Sequence, residues 1–337
     1  MRAVKAFGPR DVRLVEVPRP EPGPGEALIR VEACAICPTE LHIYLDWDAG
    51  GKAPERPFIM GHEFSGIVAE VGPRCSLRPG VRLAVEPSRH CGQCDMCRAG
   101  RFNICRNITF PSFPPTDGAQ AEYIACPEYS VKPVPSSVSA IEAALIEPLA
   151  VAVHAVRLAE VAAEETLAVL GAGAIGLSVL QVARAWGVRR VWLAEPRPER
   201  RALARKFGAE VVCASAAELR ETLGSSPRVV IEAAGHDRCL ADAVELADTG
   251  GRVYVIGVPF ADEQALSMRV ARRKELLVHF VRRSCSDLDE AVELVVTGRV
   301  NLRDYPVLCF SPEQAQEAFA AAIARPGDML RAVILWS

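Results

Sequence analysis

Four cysteines lie close together in one stretch of the chain, at Cys91, Cys94, Cys97 and Cys105. Two cysteines separated by two residues allow a single turn to direct both sulfur atoms at the same ion. Four thiolates complete a tetrahedral shell, which is typical of a structural zinc site with no open position. The alternatives are reduced surface cysteines or disulfides, and disulfides are disfavoured because no export signal is recognised. The spacing therefore predicts one zinc ion that holds this loop together.

A second set of metal-binding side chains is dispersed. Cys37 follows a strand-like run, His62 and Glu63 precede another, and Glu147 precedes a helical stretch predicted over 149–158. One cysteine, one histidine and one carboxylate make three protein ligands for zinc and leave a fourth position for water or substrate. Each residue also has an ordinary explanation, as a small core residue, a turn histidine or an acid that counters a helix dipole. From the residues alone both interpretations stay open.

A glycine-rich stretch, Gly171-Ala-Gly173-Ala-Ile-Gly176, lies between an apolar strand-like run and a helical pattern. In that context the first glycine permits a tight turn and the second lets the backbone approach a pyrophosphate. The third allows the helix to pack closely on the strand, while free N–H groups at the helix start face the negative charge. Glu195, which ends the next predicted strand, can accept hydrogen bonds from a ribose diol. The glycines alone could be a packing device, but the whole pattern predicts dinucleotide binding.

Glu195 also indicates which dinucleotide binds. A carboxylate at this position repels the 2′-phosphate of NADP, so the sequence favours NAD. Three arginines follow at once, Arg197, Arg200 and Arg201, and they could offset that repulsion. NAD is therefore the predicted cofactor and NADP the less favoured one.

The composition limits the class of protein. Of the 337 residues, 50% are hydrophobic and 24% are charged, and the formal net charge is −3. This supplies enough apolar side chains for about two packed domains and excludes a disordered or collagen-like chain. The nearly balanced charge gives no sign of a nucleic-acid or membrane-surface partner. Because no apolar run reaches the roughly 20 residues that span a bilayer, we expect a soluble, cytoplasmic protein.

The secondary-structure elements that must position these residues show two different patterns along the chain. The first third shows short strand-like runs separated by glycine- and proline-rich turns, which suggests a small irregular β-barrel. The strands predicted there are 3–7, 12–17, 26–35, 64–71 and 81–86. From residue 165 apolar strands alternate with helical patterns, which predicts an α/β fold with a parallel sheet covered by helices. Two more helices are predicted at 287–297 and 312–324, and a last strand at 332–335.

Several motifs occur in one order along the chain. They are Gly61-His62-Glu63-Phe-Ser-Gly66, the four-cysteine loop, Glu147-Pro148-Leu149 and the glycine-rich stretch. In order and spacing the chain resembles the zinc-dependent medium-chain dehydrogenase/reductases over essentially its whole length. The segment 144–154 is similar to sorbitol (polyol) dehydrogenases, and the segment 35–47 is closer to threonine dehydrogenases. The family fold implies a GroES-like β-barrel domain formed by residues 1–149 and 284–337. A Rossmann doubly wound domain, residues 150–283, is inserted into it, and the implied active site lies in a cleft.

The resemblance also implies roles for individual residues. The implied ligands of a catalytic zinc are Cys37, His62 and Glu63, with Glu147 as an alternative ligand or a partner of the zinc water. The other implied roles are a proton relay through Thr39 and His42, cofactor contacts by Gly171, Gly173, Ile175, Gly176, Glu195 and Arg200, and substrate contacts by Tyr44 and Arg283. The chain would then hold two zinc ions, one catalytic and one structural, and form a homodimer or homotetramer.

The predicted activity is a hydride transfer between NAD and a secondary alcohol of a polyol, sugar alcohol or cyclitol, which gives a ketone. The first alternative is oxidation of a β-hydroxy amino acid, as by L-threonine 3-dehydrogenases. A remote alternative is a non-catalytic dinucleotide-binding regulator, which the complete set of zinc ligands disfavours because a regulator has no need of an open zinc site.

The chain departs from the family pattern at three positions. The family usually has Cys-Gly-[Ser/Thr]-Asp where this chain has Cys37-Pro38-Thr39-Glu40. Proline removes an N–H and fixes φ, and the longer acid can change its partners, so local geometry is in question there. Ser284 stands where sorbitol dehydrogenases carry a tyrosine beside the arginine, which argues against sorbitol itself as the substrate.

Overall fold

The computed structural model describes residues 1–49, 51–261 and 263–336. The chain divides into two compact units. Unit 1 contains Met1–Glu147, Leu288–Val296 and Leu302–Ser337, and unit 2 contains Pro148–Asp287 and Thr297–Asn301. The predicted domain bounds differ from these by a few residues at both boundaries and in the placement of Thr297–Asn301.

Strands and helices are numbered in chain order. The strands are β1 (Arg2–Gly8), β2 (Asp11–Glu16), β3 (Glu26–Ala35), β4 (Phe58–Ile59), β5 (Glu63–Val71), β6 (Arg82–Val85), β7 (Tyr123–Pro127), β8 (Val131–Pro133), β9 (Thr166–Leu170), β10 (Arg190–Ala194), β11 (Val211–Cys213), β12 (Val229–Glu232), β13 (Arg252–Val255), β14 (Leu277–Phe280), β15 (Val307–Phe310) and β16 (Arg331–Leu335). The α-helices are α1 (Pro38–Asp46), α2 (Asp95–Arg98), α3 (Ala140–Ala159), α4 (Ala174–Ala185), α5 (Pro198–Lys206), α6 (Ala216–Leu223), α7 (Cys239–Leu246), α8 (Met268–Arg273), α9 (Leu288–Val296) and α10 (Ala315–Ala324). Short 3₁₀ turns cover Phe102–Ile104, Glu128–Ser130 and Pro312–Gln314.

Unit 2 is built on a six-stranded sheet in the order β11-β10-β9-β12-β13-β14, and every neighbouring pair is parallel. Counted from β9, this is the 3-2-1-4-5-6 order of the Rossmann fold, whose strand order reverses beside the first strand. The prediction of a doubly wound parallel sheet is therefore confirmed. The central strands β9 and β12 are buried along their whole length, because helices cover the faces of such a sheet.

Unit 1 contains two sheets. The larger has the order β15-β16-β3-β5-β6-β8, with β7 also paired to β3, and the smaller has the order β2-β1-β4. The long strand β3 is central, because its residues 33–35 pair with β16, its residues 26–30 pair with β7, and β5 lies along its other side. The register places Ala35, at the end of β3, opposite Glu63, at the start of β5. This pairing brings the segment after β3 next to the segment before β5.

Helix α1 explains the proline in the departing motif. Cys37 is the residue before the helix, and Pro38 occupies its first position. A proline there costs no hydrogen bond, because the first N–H groups of a helix have no helical partner, and its fixed φ suits the helix start. Pro38 therefore fits the local fold and keeps Cys37 directly at the helix N-terminus.

Helix α3 corrects a sequence prediction. The sequence predicts a helix over 149–158, but the helix begins at Ala140. Ser139 and Glu142 explain the earlier start: the Ser139 N–H donates to Glu142 Oε2 at 2.9 Å, and the Glu142 N–H donates to Ser139 Oγ at 3.2 Å. This reciprocal capping begins the helix at Ala140, about two turns before Pro148. Glu147 therefore lies inside a helix, so it is not an acid at a helix start.

Each unit has its own hydrophobic core. The core of unit 1 includes Phe58, Phe64 and Phe319, and the core of unit 2 lies around Val230, Val244 and Val253. Among the described residues no helix is both long and apolar enough to cross a membrane.

Candidate metal centres and dinucleotide site

Three of the predicted metal ligands come together in unit 1. Cys37 precedes α1, His62 precedes β5, and Glu63 is the first residue of β5. One ligand atom from each, a sulfur, an imidazole nitrogen and a carboxylate oxygen, lies within 4.8 Å of the other two. His62 and Glu63 are buried, with 4% and 1% of their surfaces exposed. We call Cys37, His62 and Glu63 the three-ligand group.

The three-ligand group fits zinc. Zinc takes thiolate, imidazole and carboxylate ligands, and three protein ligands are typical of a site that leaves one position open. Burial raises the pKa of the Cys37 thiol, so a bound cation is needed to hold its sulfur as the thiolate at neutral pH. The chemistry of the donor set is thus that of an open zinc site.

Glu40 is a part of this site that sequence reasoning noted only as a departure. Its Oε1 lies 2.9 Å from His62 Nδ1 and accepts the Gly61 N–H at 2.8 Å. Glu40 is fully buried. A carboxylate on Nδ1 holds the proton on that nitrogen and leaves Nε2 with its lone pair for a metal. The longer acid therefore serves as the partner of the histidine.

Arg331 is a second residue of this site that no sequence motif indicated. Its Nε lies 2.8 Å from Glu63 Oε2 and its Nη2 lies 3.0 Å from Glu63 Oε1. Burial by itself raises the pKa of Glu63, but the charges of Arg331 and His62 outweigh it and lower that pKa overall. Glu63 is therefore ionised, as a metal ligand must be.

Glu147 lies near the three-ligand group but outside it. The side chain is buried, and its burial raises the pKa to about 8. The negative charge of Glu63 adds to this increase, while the positive charges of His62 and Arg331 oppose it. The group whose ligand atoms lie within 4.8 Å of one another contains Glu63 and not Glu147. The geometry therefore groups Glu63, rather than Glu147, with Cys37 and His62.

The residues of the predicted proton relay lie on α1. Thr39 Oγ1 is 3.5 Å from Cys37 Sγ, which places its hydroxyl beside the three-ligand group. His42 follows one helical turn later and is partly buried. The two side chains lie on the same side of the helix because residues three apart are neighbours. The relay itself stays a prediction.

The two predicted substrate residues have different surroundings. Tyr44 is 3% exposed, its hydroxyl accepts a hydrogen bond from Gln316 Nε2 at 2.7 Å, and its ring centroid is 4.9 Å from that of Phe319. These contacts place Tyr44 in the core of unit 1 and give the predicted substrate role no support. Arg283 lies between β14 and α9 with φ of 55°, partly buried, and its substrate role stays a prediction.

The four-cysteine loop brings its sulfurs together. Cys94 precedes α2, Cys97 lies within it, and Cys105 follows a 3₁₀ turn. The sulfur–sulfur distances are 3.5 Å for Cys94–Cys97, 3.5 Å for Cys91–Cys105 and 3.9 Å for Cys94–Cys105. Four sulfurs at the usual zinc–sulfur length of about 2.3 Å in a tetrahedron lie about 3.8 Å apart, so the loop fits a zinc ion. No disulfide joins any two of the cysteines in the described residues.

Two features organise this loop. Asp95 and Arg106 form a two-point ion pair with both distances at 2.6 Å, which ties the start of α2 to the residue after Cys105. The N–H groups of Gln93 and Cys94 lower the pKa of Cys91 to about 6. A thiol with that pKa is largely ionised at neutral pH, which favours metal binding.

The glycine-rich loop has the form that a dinucleotide needs. Gly171 has φ of +99°, and a Cβ on Gly176 would lie 1.9 Å from the Gly171 carbonyl oxygen, so both positions require glycine. A Cβ on Gly173 would meet no atom within 4 Å, although this residue directly precedes α4. The packing of the protein therefore does not require Gly173 to be glycine. Close approach of a phosphate to the first N–H groups of α4 does require it.

Glu195 directly follows β10, and its carboxylate holds the glycine-rich loop. Its Oε2 accepts the Ala172 N–H at 2.7 Å, and its Oε1 accepts the Arg197 N–H at 3.0 Å. Arg201 donates to the carbonyl oxygens of Glu195 and Pro196, at 3.0 and 2.7 Å. Both the carboxylate and a guanidinium thus lie where the ribose of a dinucleotide binds in such folds.

Comparison with known proteins identifies the family of the chain. Residues 23–136 match the family model for the alcohol dehydrogenase GroES-like domain, and residues 174–297 match that for zinc-binding dehydrogenases. The chain is 31% identical to the sorbitol dehydrogenase of Bacillus subtilis (strain 168), over 99% of this chain and 97% of that protein.

Two solved structures share the fold over nearly their whole length. The first is rspB of Escherichia coli CFT073, an alcohol dehydrogenase complexed with the cofactor NADH, with a TM-score of 0.90, 26% identity and 99% of each chain covered. The second is a protein of Sinorhizobium meliloti 1021 described as a zinc-binding dehydrogenase and bound to NADP. Its TM-score is 0.89 with 31% identity, over 99% of this chain and 98% of that one.

The fold and the site define a zinc-dependent dehydrogenase built from a GroES-like domain and a Rossmann sheet. The chain belongs to the zinc-dependent medium-chain alcohol dehydrogenases, in the branch that is similar to sorbitol dehydrogenase. It is an oxidoreductase that acts on alcohols or polyols and uses zinc and NAD. The predicted family, fold class and type of activity are therefore confirmed.

Proposed function

We propose that the enzyme oxidises a secondary hydroxyl of a polyol, sugar alcohol or cyclitol to a ketone, with a second hydroxyl next to the reacting carbon. The observation that carries this proposal is Glu147, a buried carboxyl whose pKa is influenced by His62, Glu63 and Arg331. A buried polar group needs a hydrogen-bond partner, and a second hydroxyl on the substrate supplies one. A plain hydrocarbon chain would leave Glu147 without that partner.

The proposed roles divide between the bound groups and the chain. When bound, zinc at Cys37, His62 and Glu63 lowers the pKa of an alcohol, and NAD is the hydride acceptor. Thr39 Oγ1, beside Cys37, accepts the proton of the substrate hydroxyl and passes it to His42 one helical turn away. Glu147 orients the neighbouring hydroxyl, either as the acceptor when ionised or as the donor when protonated.

The competing substrate class is a β-hydroxy amino acid. Its ammonium group would pair with Glu147 and its carboxylate would need an arginine, for which Arg283 is the candidate. The buried surroundings of Glu147 favour the neutral polyol, because an ammonium would have to lose its water in a site that already holds the positive charge of Arg331. Glu195 further supports NAD over NADP, since its carboxylate lies where the 2′-phosphate would have to sit.

The test is NAD reduction by the purified enzyme across polyols, cyclitols, amino alcohols and simple alcohols, repeated with Glu147→Gln. We expect the highest kcat/KM for a vicinal secondary diol and the loss of most of that rate in Glu147→Gln. Glu142→Gln is the matched control, because it lies on the same helix and glutamine can also cap a helix start. Robust turnover of 2-butanol with no response to polyols would contradict the proposal, and preference for L-threonine would support the competing class.

We further propose that the chain forms a homodimer through β14. This strand is the outermost one of the unit 2 sheet, and Leu277 and Phe280 on it are 53% and 67% exposed. An open strand edge with large apolar side chains favours pairing with a second strand, and two copies of β14 can pair antiparallel about a two-fold axis. Light scattering should give twice the chain mass, and Phe280→Arg should give a monomer. Leu308→Arg, a control at a similarly exposed apolar residue on β15, should not.

The cysteines of the two metal centres indicate the compartment in which the enzyme works. Both metal centres use cysteine ligands, and no disulfide joins cysteines in the described part of the chain. Such thiols persist in a reducing compartment, so we place the enzyme in the cytoplasm.

A further inference from the structure

Ser112 is a fully buried serine with an uncommon backbone conformation. Its φ is +80°, in the left-handed region that favours glycine, and none of its surface is exposed. A side chain at such a φ costs of order 1–3 kcal/mol unless the surroundings impose the conformation. Glycine would relieve that cost, so a serine here is favourable only if its hydroxyl makes a worthwhile contact.

The Ser112 hydroxyl makes two contacts close to the three-ligand group. Ser112 Oγ donates to Glu40 Oε1 at 2.8 Å and accepts the Gly61 N–H at 3.0 Å. The same Glu40 oxygen contacts His62 Nδ1 at 2.9 Å. Ser112 thus holds both the carboxylate that orients the histidine and the residue that precedes the histidine in the chain.

The segment that carries Ser112 is itself anchored. Thr109 exchanges two backbone hydrogen bonds with Arg89, at 2.9 and 3.0 Å. The Phe110 ring lies with its centroid 5.0 Å from that of His62. Because these contacts leave the backbone near Ser112 little freedom, the hydroxyl is a fixed donor to Glu40.

We propose that Ser112 is a positioning residue for the metal-binding histidine, acting through Glu40. Its hydroxyl restricts where the Glu40 carboxylate lies, and that carboxylate determines which His62 nitrogen carries the proton and how the ring faces the metal. The inference rests on the proposed assignment of Cys37, His62 and Glu63 as ligands of the catalytic zinc.

The test measures metal retention, so it does not depend on any substrate. Zinc-loaded enzyme is mixed with a colorimetric chelator, and the release phase of the catalytic site is identified by its loss in Cys37→Ala. The variants are Ser112→Ala and Ser112→Gly, with Glu40→Gln as the positive control. Ser130→Ala is the matched control, because Ser130 is also buried and its hydroxyl makes one hydrogen bond, to the Pro127 carbonyl at 2.8 Å.

We expect Glu40→Gln to release this zinc about 10–100 times faster, since partners of metal ligands usually matter by that factor. Both Ser112 variants should release this zinc several times faster than the wild type. The release rate should be unchanged in Ser130→Ala, and the release rate of the zinc in the four-cysteine loop should be unchanged in every one of these variants. With cobalt in place of the catalytic zinc, the visible absorption bands should shift in both Ser112 variants and in Glu40→Gln. A role in folding alone would not move those bands.

The comparison of alanine with glycine separates the hydroxyl from the backbone. Both variants lack the hydroxyl, but glycine adopts φ of +80° without strain and should fold even if alanine does not. Wild-type release and spectra in Ser112→Gly would overturn the proposal. A wild-type enzyme with no Cys37-dependent release phase would overturn the zinc assignment and this inference together, whereas a normal phase that Ser112 variants leave unchanged would overturn the inference alone.

Discussion

Glu63 and Arg331 form a buried ion pair with two parallel contacts, Nε to Oε2 at 2.8 Å and Nη2 to Oε1 at 3.0 Å. Their side chains are only 2% and 7% exposed. Each residue is the first of its strand, β5 or β16, and both strands pair with β3. The pair therefore joins a carboxylate of the three-ligand group, on β5, to β16 near the other end of the sequence.

Replacement of Arg331 by methionine should destabilise the protein strongly. The substitution leaves the Glu63 carboxylate buried without its partner, and breaking a buried pair in this way costs about 3–5 kcal/mol. The free energy of unfolding, measured with denaturant, should fall by that amount in the metal-free protein, since bound zinc would itself pair with the Glu63 carboxylate. Arg331→Lys should also lower the free energy of unfolding, because lysine keeps the charge but cannot make two parallel contacts with the Glu63 carboxylate.

The control for that experiment is Arg13→Met, which breaks a two-point pair with Asp11 on the exposed surface. Water screens such a pair, so the denaturation midpoint should barely move. Equal losses in Arg331→Met and Arg13→Met would show that burial of the Glu63–Arg331 pair does not matter.

Metal analysis should find two zinc ions per chain. Cys37→Ala should remove one equivalent and abolish turnover but leave a folded protein that binds NAD, because that group only completes an active site. Cys97→Ala should remove the other equivalent and lower the thermal stability, since the four-cysteine loop has few apolar residues of its own to hold it. Wild-type turnover in Cys37→Ala would show that the three-ligand group is not catalytic.

Two neighbouring glycines should respond differently to the same substitution. A methyl group on Gly173 meets no protein atom within 4 Å, so Gly173→Ala should fold normally but bind NAD at least several-fold more weakly. A methyl group on Gly176 would lie 1.9 Å from the Gly171 oxygen, so Gly176→Ala should lower the melting temperature as well. Unchanged NAD affinity in Gly173→Ala, measured by calorimetry, would contradict the pyrophosphate position.

Glu195 should control the choice of cofactor. The unmodified enzyme should have a much higher kcat/KM with NAD than with NADP, because the carboxylate repels a 2′-phosphate. Glu195→Ser should narrow that ratio, since Arg201 still lies beside the same backbone. Glu199→Ser, a substitution at an exposed residue of α5, is the control and should leave the ratio unchanged. Equal kcat/KM for the two cofactors in the unmodified enzyme would refute the assignment.

Glu147 should make the metal-free protein less stable as the pH rises. Burial raises its pKa from 4.5 to about 8 in the folded state, so between those values the folded chain binds more protons than the unfolded chain. The free energy of unfolding therefore falls as the pH increases through that window. Between pH 5 and pH 8 the melting temperature of chelator-treated Glu147→Gln should decline less than that of the chelator-treated wild type. The difference should correspond to the titration of about one group. Parallel curves for the two proteins would mean that Glu147 does not titrate there.

Local pattern was enough to predict much of the fold. Strand β3 has the predicted bounds, 26–35, and strands β9 to β13 lie in the region where apolar strands and helices were predicted to alternate. Strands β14 and β15 were missed, since neither contains a buried residue and neither shows an alternation of buried and exposed side chains. Spacing alone also indicated the four-cysteine loop, because all its ligands lie within one short stretch of chain.

By itself the sequence determined the ligand types, the glycine-rich loop and the alternation of strands and helices, since each depends on residues close together in the chain. Only the tertiary structure decided that Cys37, His62 and Glu63 form one group and that Tyr44 is in a core. It also placed Glu40, Ser112 and Arg331 around the three-ligand group. Arg331 lies 268 residues from Glu63, and Ser112 lies 72 residues from Glu40. Contacts of that kind arise from strand pairing and core packing, which bring distant segments together and leave no periodic or local mark in the sequence.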